Sequence, residues 1–165
     1  MGVRKRPTKA SYIDIGAETP NFVLMGTGFT ELNESPSAQN SSKRYINMYS
    51  ATKSITSYDW STPFSADQIP SEEAISFIRR IGETMKTGQD AEADYVMVDL
   101  DAAVTGSANT FQARKIRVAI AVSEFPDNDG ELGVSGDLLG VSSIEMGTFN
   151  TQTKTFTAEG EQETP

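Results

Sequence analysis

Asp99-Leu100-Asp101 has the plainest chemical use of any short arrangement in this sequence. Two carboxylates two positions apart fall on one side of an extended strand, and in some glycosyltransferases such a pair holds a metal-linked nucleotide sugar. No glycine-rich phosphate loop accompanies it here. Lys115 and Arg117, on another alternating segment, are the cations it is expected to face across a sheet. A salt-bridged strand face is therefore the expectation, and an enzyme working through Asp99 and Asp101 ranks third among the readings below. Asp127, Asp129 and Glu131 alternate around Gly130 much as calcium ligands do. Counted from Asp127, however, neither the glycine at position six nor the distal glutamate of an EF-hand falls in place, so a hairpin turn is expected instead. Asn33-Glu34-Ser35 and Asn40-Ser41-Ser42 fit the glycosylation acceptor pattern, but no secretory signal precedes them. Lys43 to Tyr49 mixes Lys43 and Arg44 with aromatic residues, as single-strand nucleic-acid binders do; strand composition explains it equally well.

The residue inventory narrows the chemistry further. The 165-residue chain has no histidine and no cysteine. That removes the commonest general base, the commonest zinc and iron ligands, disulfides, and every Ser-His or Cys-His nucleophile pair. No catalytic, cofactor-binding or metal-binding residue is assigned, and no cofactor is expected. The formal charge is −9, although Arg4, Lys5, Arg6 and Lys9 concentrate cations in the first ten residues. The acidic remainder repels phosphates rather than gripping them. No apolar run is long enough to cross a bilayer.

Positioning these residues falls to strands and one helix. Residues 1–10 read as a flexible basic arm, 11–157 as one domain, and 158–165 as a flexible acidic tail. Phe22 to Met25 fits a strand, Asn33 to Ser42 an exposed loop or the tip of a long hairpin, and Tyr45, Ile46, Met48 and Tyr49 a further strand. Ala74, Phe77, Ile78, Ile81 and Met85 form one stripe on a helix over about 71–87. Ser71 is its expected N-cap and Gly88 its expected terminator, and Phe77, Ile78 and Ile81 are expected to pack on a sheet. The period then changes to two. Val96, Val98 and Leu100 share one face, with Tyr95, Met97 and Asp99 on the other; Ile116, Val118, Ile120 and Val122 repeat the pattern opposite Lys115, Arg117, Ala119 and Ala121. Asp129-Gly130 marks a hairpin turn, Leu132 to Leu138 a return strand, and the threonines from Gly147 to Thr157 one more strand. The fold class is mainly β: a sandwich or barrel with one packed α-helix, a long hairpin loop and flexible terminal arms.

Lys43-Arg44-Tyr45-Ile46-Asn47, the run from Ser50 to Ser61, the helix from Ser71 to Ile81, and Phe125 to Leu139 together resemble the major tail proteins of long-tailed phages of Gram-positive bacteria, the subunits of the tail tube. The resemblance covers roughly residues 9–157. It implies hexameric rings stacked into a hollow tube that conducts the genome without binding it specifically. The partners implied are copies of the chain itself and other tail proteins such as the tape measure, the tail terminator and the baseplate. The implied location is the virion, after synthesis in the host cytoplasm. By the same resemblance, Arg4, Lys5, Arg6, Glu34, Ser35, Pro36, Lys43 and Arg44 are assigned to contacts between rings. The tube protein of a sheathed contractile tail or injection system is the alternative within this class. A monomeric β-sandwich binding module, with Tyr45, Tyr49, Tyr58 and Trp60 as its aromatic surface, is the alternative outside it.

Overall fold

A computed structural model describes residues 2–159. The chain is mainly β, with a single α-helix. The first strands are β1 (Lys9–Asp14), β2 (Phe22–Leu24), β3 (Phe29–Leu32), β4 (Ala38–Lys43), β5 (Thr52–Tyr58) and β6 (Ser61–Asp67). Helix α1 (Glu73–Glu83) leads into β7 (Glu92–Ala103), β8 (Thr110–Glu124), β9 (Asp127–Asn128), β10 (Glu131–Gly140), β11 (Glu145–Asn150) and β12 (Thr155–Ala158). One antiparallel sheet runs in the order β2-β1-β7-β8-β10-β6-β3, and β4 and β5 form a separate two-stranded sheet. β2 and β3 lie at opposite ends of that order yet are joined by only residues 25–28, so the sheet must curl toward closure. Lys9 Nζ donating to Glu34 Oε1 (3.1 Å) and Arg6 Nη2 to Leu32 O (3.5 Å) draw the two sides together.

The long central strands serve two cores. The larger packs Trp60, Phe64, Tyr95, Met97, Ile116 and Val118 against the helix. A smaller one, on the other face, gathers Tyr12, Phe22, Val96, Val98, Ala113 and Phe149. Phe149 of β11 reaches the rings of Tyr12 and Phe22, at centroid distances of 4.5 and 5.8 Å. Alternation over Tyr95 to Val98 is as expected, but both faces of β7 are covered, whereas the sequence pattern implied one. The threonine-rich C-terminal segment is a hairpin, β11 and β12, where one strand was expected. Its turn carries Lys154 at φ 55, and Asn150 Oδ1 accepts from the N–H groups of Gln152 and Thr153.

Helix α1 is shorter than its apolar stripe implied. Its buried residues are Ala74, Ile75, Ile78 and Ile81, with Phe77 partly buried against the same core. Glu72, rather than Ser71, holds the N-cap position, without a side-chain capping bond. At the other end Lys86 N–H bonds Ile81 O and Met85 N–H bonds Gly82 O, a Schellman arrangement that places Met85 at φ 50. Met85 is consequently exposed and outside the stripe, and Gly88 only opens the next turn. Gly82 lets the helix approach β8: a Cβ there would stand 2.7 Å from Val122 and 2.8 Å from Phe125.

The terminal boundaries shift as well. Lys9 and Ala10, assigned to the arm, belong to β1, and Arg6–Thr8 form one turn of 3-10 helix. Ala158, assigned to the acidic tail, ends β12, and Glu159 N–H bonds Met146 O; residues 160–165, where the rest of the tail was expected, lie outside the described residues.

Candidate functional site

Between Ser35 and Ser61, which pair across a single bridge, the chain leaves the sheet as the β4–β5 ribbon. Every residue of both strands is exposed. Their Ser, Thr, Asn and Gln side chains suit a solvated strand pair, and Ser41 Oγ meets Ser54 Oγ across it at 3.3 Å. A two-stranded ribbon is marginal alone, so its root matters. Glu34 supplies that root. Arg114 donates from Nη1 to Oε2 (3.0 Å) and from Nη2 to Oε1 (2.9 Å), while Trp60 Nε1 reaches Oε2 (2.7 Å) and Lys9 Nζ reaches Oε1 (3.1 Å). Burial alone would raise this carboxyl's pKa, but the bonds from Arg114, Trp60 and Lys9 overcome it and bring the group down to about 2. Four donors occupy all four acceptor sites of the carboxylate. Glu34, assigned to a contact between rings, therefore serves as an internal anchor. Ser35 beside it is engaged with Ser61, and Pro36 is exposed next to the cleft formed with Tyr58 and Trp60.

The tip of the ribbon is residues 44–51, beyond the 33–42 stretch expected to hold it; Ala38–Lys43 is a strand. Ile46 and Tyr49 are fully exposed there, and Tyr45 is largely so. Lys43, Arg44 and Lys53 surround them, and no Asp or Glu occurs from Ser35 to Tyr58. Lys43 Nζ lies 5.3 Å from the Tyr45 ring centroid. Nothing in the sequence marked Ile46 and Tyr49 as exposed, since a strand-like apolar cluster reads the same whether buried or free.

The other candidates resolve into local structure. Asp99 and Asp101 are bound by Arg4, whose Nε reaches Asp101 Oδ2 (2.9 Å) and whose Nη2 reaches both Asp101 Oδ1 and Asp99 Oδ1 (3.0 Å each). The expected partners are elsewhere because the β7–β8 register sets Asp94 opposite Arg117 and Val96 opposite Lys115. Arg117 accordingly pairs with Glu92 and Asp94, and Lys115 with Glu145. The basic segment is thus fastened to the body at Arg4, and Arg6 donates to Lys9 O (2.8 Å); Lys5 is exposed. Asp129 (φ 53) and Gly130 (φ 91) form the β9–β10 turn, and Gly130 N–H bonds Asp127 Oδ1. Among the described residues no group of three or more acids gathers as a metal site, and no helix is long and apolar enough to cross a membrane. The four aromatic residues make no common platform: Trp60 is buried against Tyr95, Tyr45 and Tyr49 occupy the ribbon tip, and Tyr58 lies at its base.

With this geometry in hand, comparison with solved structures finds a similar chain in the cryo-EM structure of the anti-feeding prophage (AFP) baseplate, 6-fold symmetrised. The likeness is one of fold. The TM-score is 0.55 over 88% of this chain and 97% of the other, at 10% sequence identity. No protein-family model and no curated protein matches the chain.

Proposed function

We propose that this chain is a structural subunit of a phage-type tail, without enzymatic activity, that assembles with copies of itself into stacked hexameric rings. The observation that carries the reading is the β4–β5 ribbon, fully exposed along both strands, ending in Ile46 and Tyr49, and rooted by a saturated Glu34. Such a projection gains nothing for the isolated subunit, because it buries no apolar surface there; a neighbour supplies what it lacks. The residues resembling phage tail tube subunits and the fold likeness to a chain of a 6-fold symmetrised baseplate support the same reading. Stacked rings would enclose a channel for DNA, with the acidic balance limiting adhesion of phosphates. The subunit would then reside in the virion beside the tape measure, terminator and baseplate proteins. Lys43 and Arg44 remain assigned to ring contacts, at the ribbon tip.

A sheathed contractile tail or injection system is the second reading, favoured by the baseplate origin of the structural neighbour. Sedimentation velocity over a wide concentration range tests both. The expected result is mass-action growth of six-subunit species and their multiples; a single monomeric species at every concentration would refute self-assembly.

A further inference from the structure

Two surfaces at opposite ends of the sheet are matched in character. One is the ribbon tip, with Lys43, Arg44 and Lys53 around exposed Ile46 and Tyr49. The other is the turn that joins β8, β9 and β10. No Lys or Arg occurs from Val118 to Thr153, and Glu124, Asp127, Asp129 and Glu131 are all exposed around that turn. Phe125 and Leu132 stand among them, 38% and 57% exposed. Neither the three cations nor the four acids have an ion-pair partner among the described residues. The ends are fixed by register. The ribbon leaves the sheet at Ser61, opposite Leu139, and the acidic turn begins where Asp67 lies opposite Gly133. Six strand steps of about 3.3 Å separate these two pairs, roughly 20 Å.

We infer that the ribbon tip of one copy seats on the Glu124–Leu132 turn of the next copy along a stack. This rests on the self-assembly reading and adds the acceptor surface to it. The contact joins unlike surfaces, so each copy offers one of each and the association extends head to tail. Two ribbon tips repel each other, as do two acidic turns, so the charges set the direction of stacking and the apolar side chains supply the burial. The acceptor is firm: Gly130 N–H is tied to Asp127 Oδ1, Gln68 N–H bonds Leu132 O, and β10 is paired on both sides. A marginal ribbon docking on a firm turn confines the ordering cost to one partner.

Two charge-reversed variants test the docking. With Lys53 kept, K43E/R44E leaves a net negative tip beside the acidic turn, and E124K/D129N/E131K leaves a net positive turn beside the basic tip; all five positions are exposed and asparagine tolerates the positive φ of position 129, so circular dichroism melts should match the wild type. Each variant alone should form no stacks at about tenfold the concentration at which the wild type stacks, whereas an equimolar mixture should stack, because every ribbon then meets an opposite turn. Stacking of E124K/D129N/E131K alone at the wild-type concentration, or failure of the mixture while the wild type stacks, would overturn the docking and leave the self-assembly reading standing. A wild-type chain that never associates would overturn both.

Discussion

Replacing Glu34 with Gln probes the anchor of the ribbon. The carboxyl titrates at about 2 in the fold against an ordinary 4.5. At 1.36 kcal/mol per pKa unit that difference corresponds to about 3 kcal/mol at neutral pH. Solvent reaches the half-buried pairs, so about 2 kcal/mol is the expected effect. Because the folded pKa is depressed, the contribution is complete above about pH 4.5 and is lost as the pH falls through 4.5 toward 2. E34Q keeps the shape but removes the charge and one acceptor oxygen, leaving Arg114 and Lys9 without a counter-ion. For a chain of this length about 2 kcal/mol lowers Tm by roughly 4–8 °C. The assay is a series of thermal melts of both proteins across that pH range. The gap in Tm should be steady at neutral pH and should close toward pH 2. An E34Q protein that melts with the wild type at pH 7, or a gap independent of pH, would refute the account of this carboxylate.

Further perturbations follow from the packing. Ile78→Asp sets an unpaired charge in the core and should cost about 4 kcal/mol or more, enough to leave the chain unfolded by circular dichroism. Gly136→Ala should lower urea stability by about 2–3 kcal/mol, since the new methyl group meets the Ala121 carbonyl at the β8–β10 irregularity. Replacing residues 44–51 with an Asn-Gly turn should leave Tm within a few degrees of the wild type while abolishing sedimentable assemblies, because those residues make no core contact. Assembly should also weaken as salt rises above about 0.1 M, where the Debye length falls below about 10 Å; salt-independent sedimentation would remove the charges from the contact.

Much of the sheet and its helix is legible because period-two alternation at Ile116, Val118 and Ile120, and the helical stripe through Ile78 and Ile81, are enforced by burial. The Asp129-Gly130 turn was legible because it needs positive φ. Strand pairing was not. The Asp99 and Asp101 partners depended on a β7–β8 register that no local pattern encodes, and the nearest cation in space, Arg4, is distant in sequence. Met85 was misplaced because a residue that ends a helix in the left-handed region can still satisfy the helical spacing. The Glu34 cluster escaped for a related reason: Lys9, Trp60 and Arg114 come from three separate strands or their edges and meet only when the sheet curls. The residues nearest the proposed assembly surface, Ile46 and Tyr49, were visible as apolar, but their exposure follows from the ribbon leaving the sheet.

Electron microscopy of the concentrated wild-type protein tests the central claim most directly. Class averages with six-fold end views, and side views of rings stacked into tubes of uniform diameter, are the predicted result. A field of separate single subunits under conditions where the protein remains folded would contradict it.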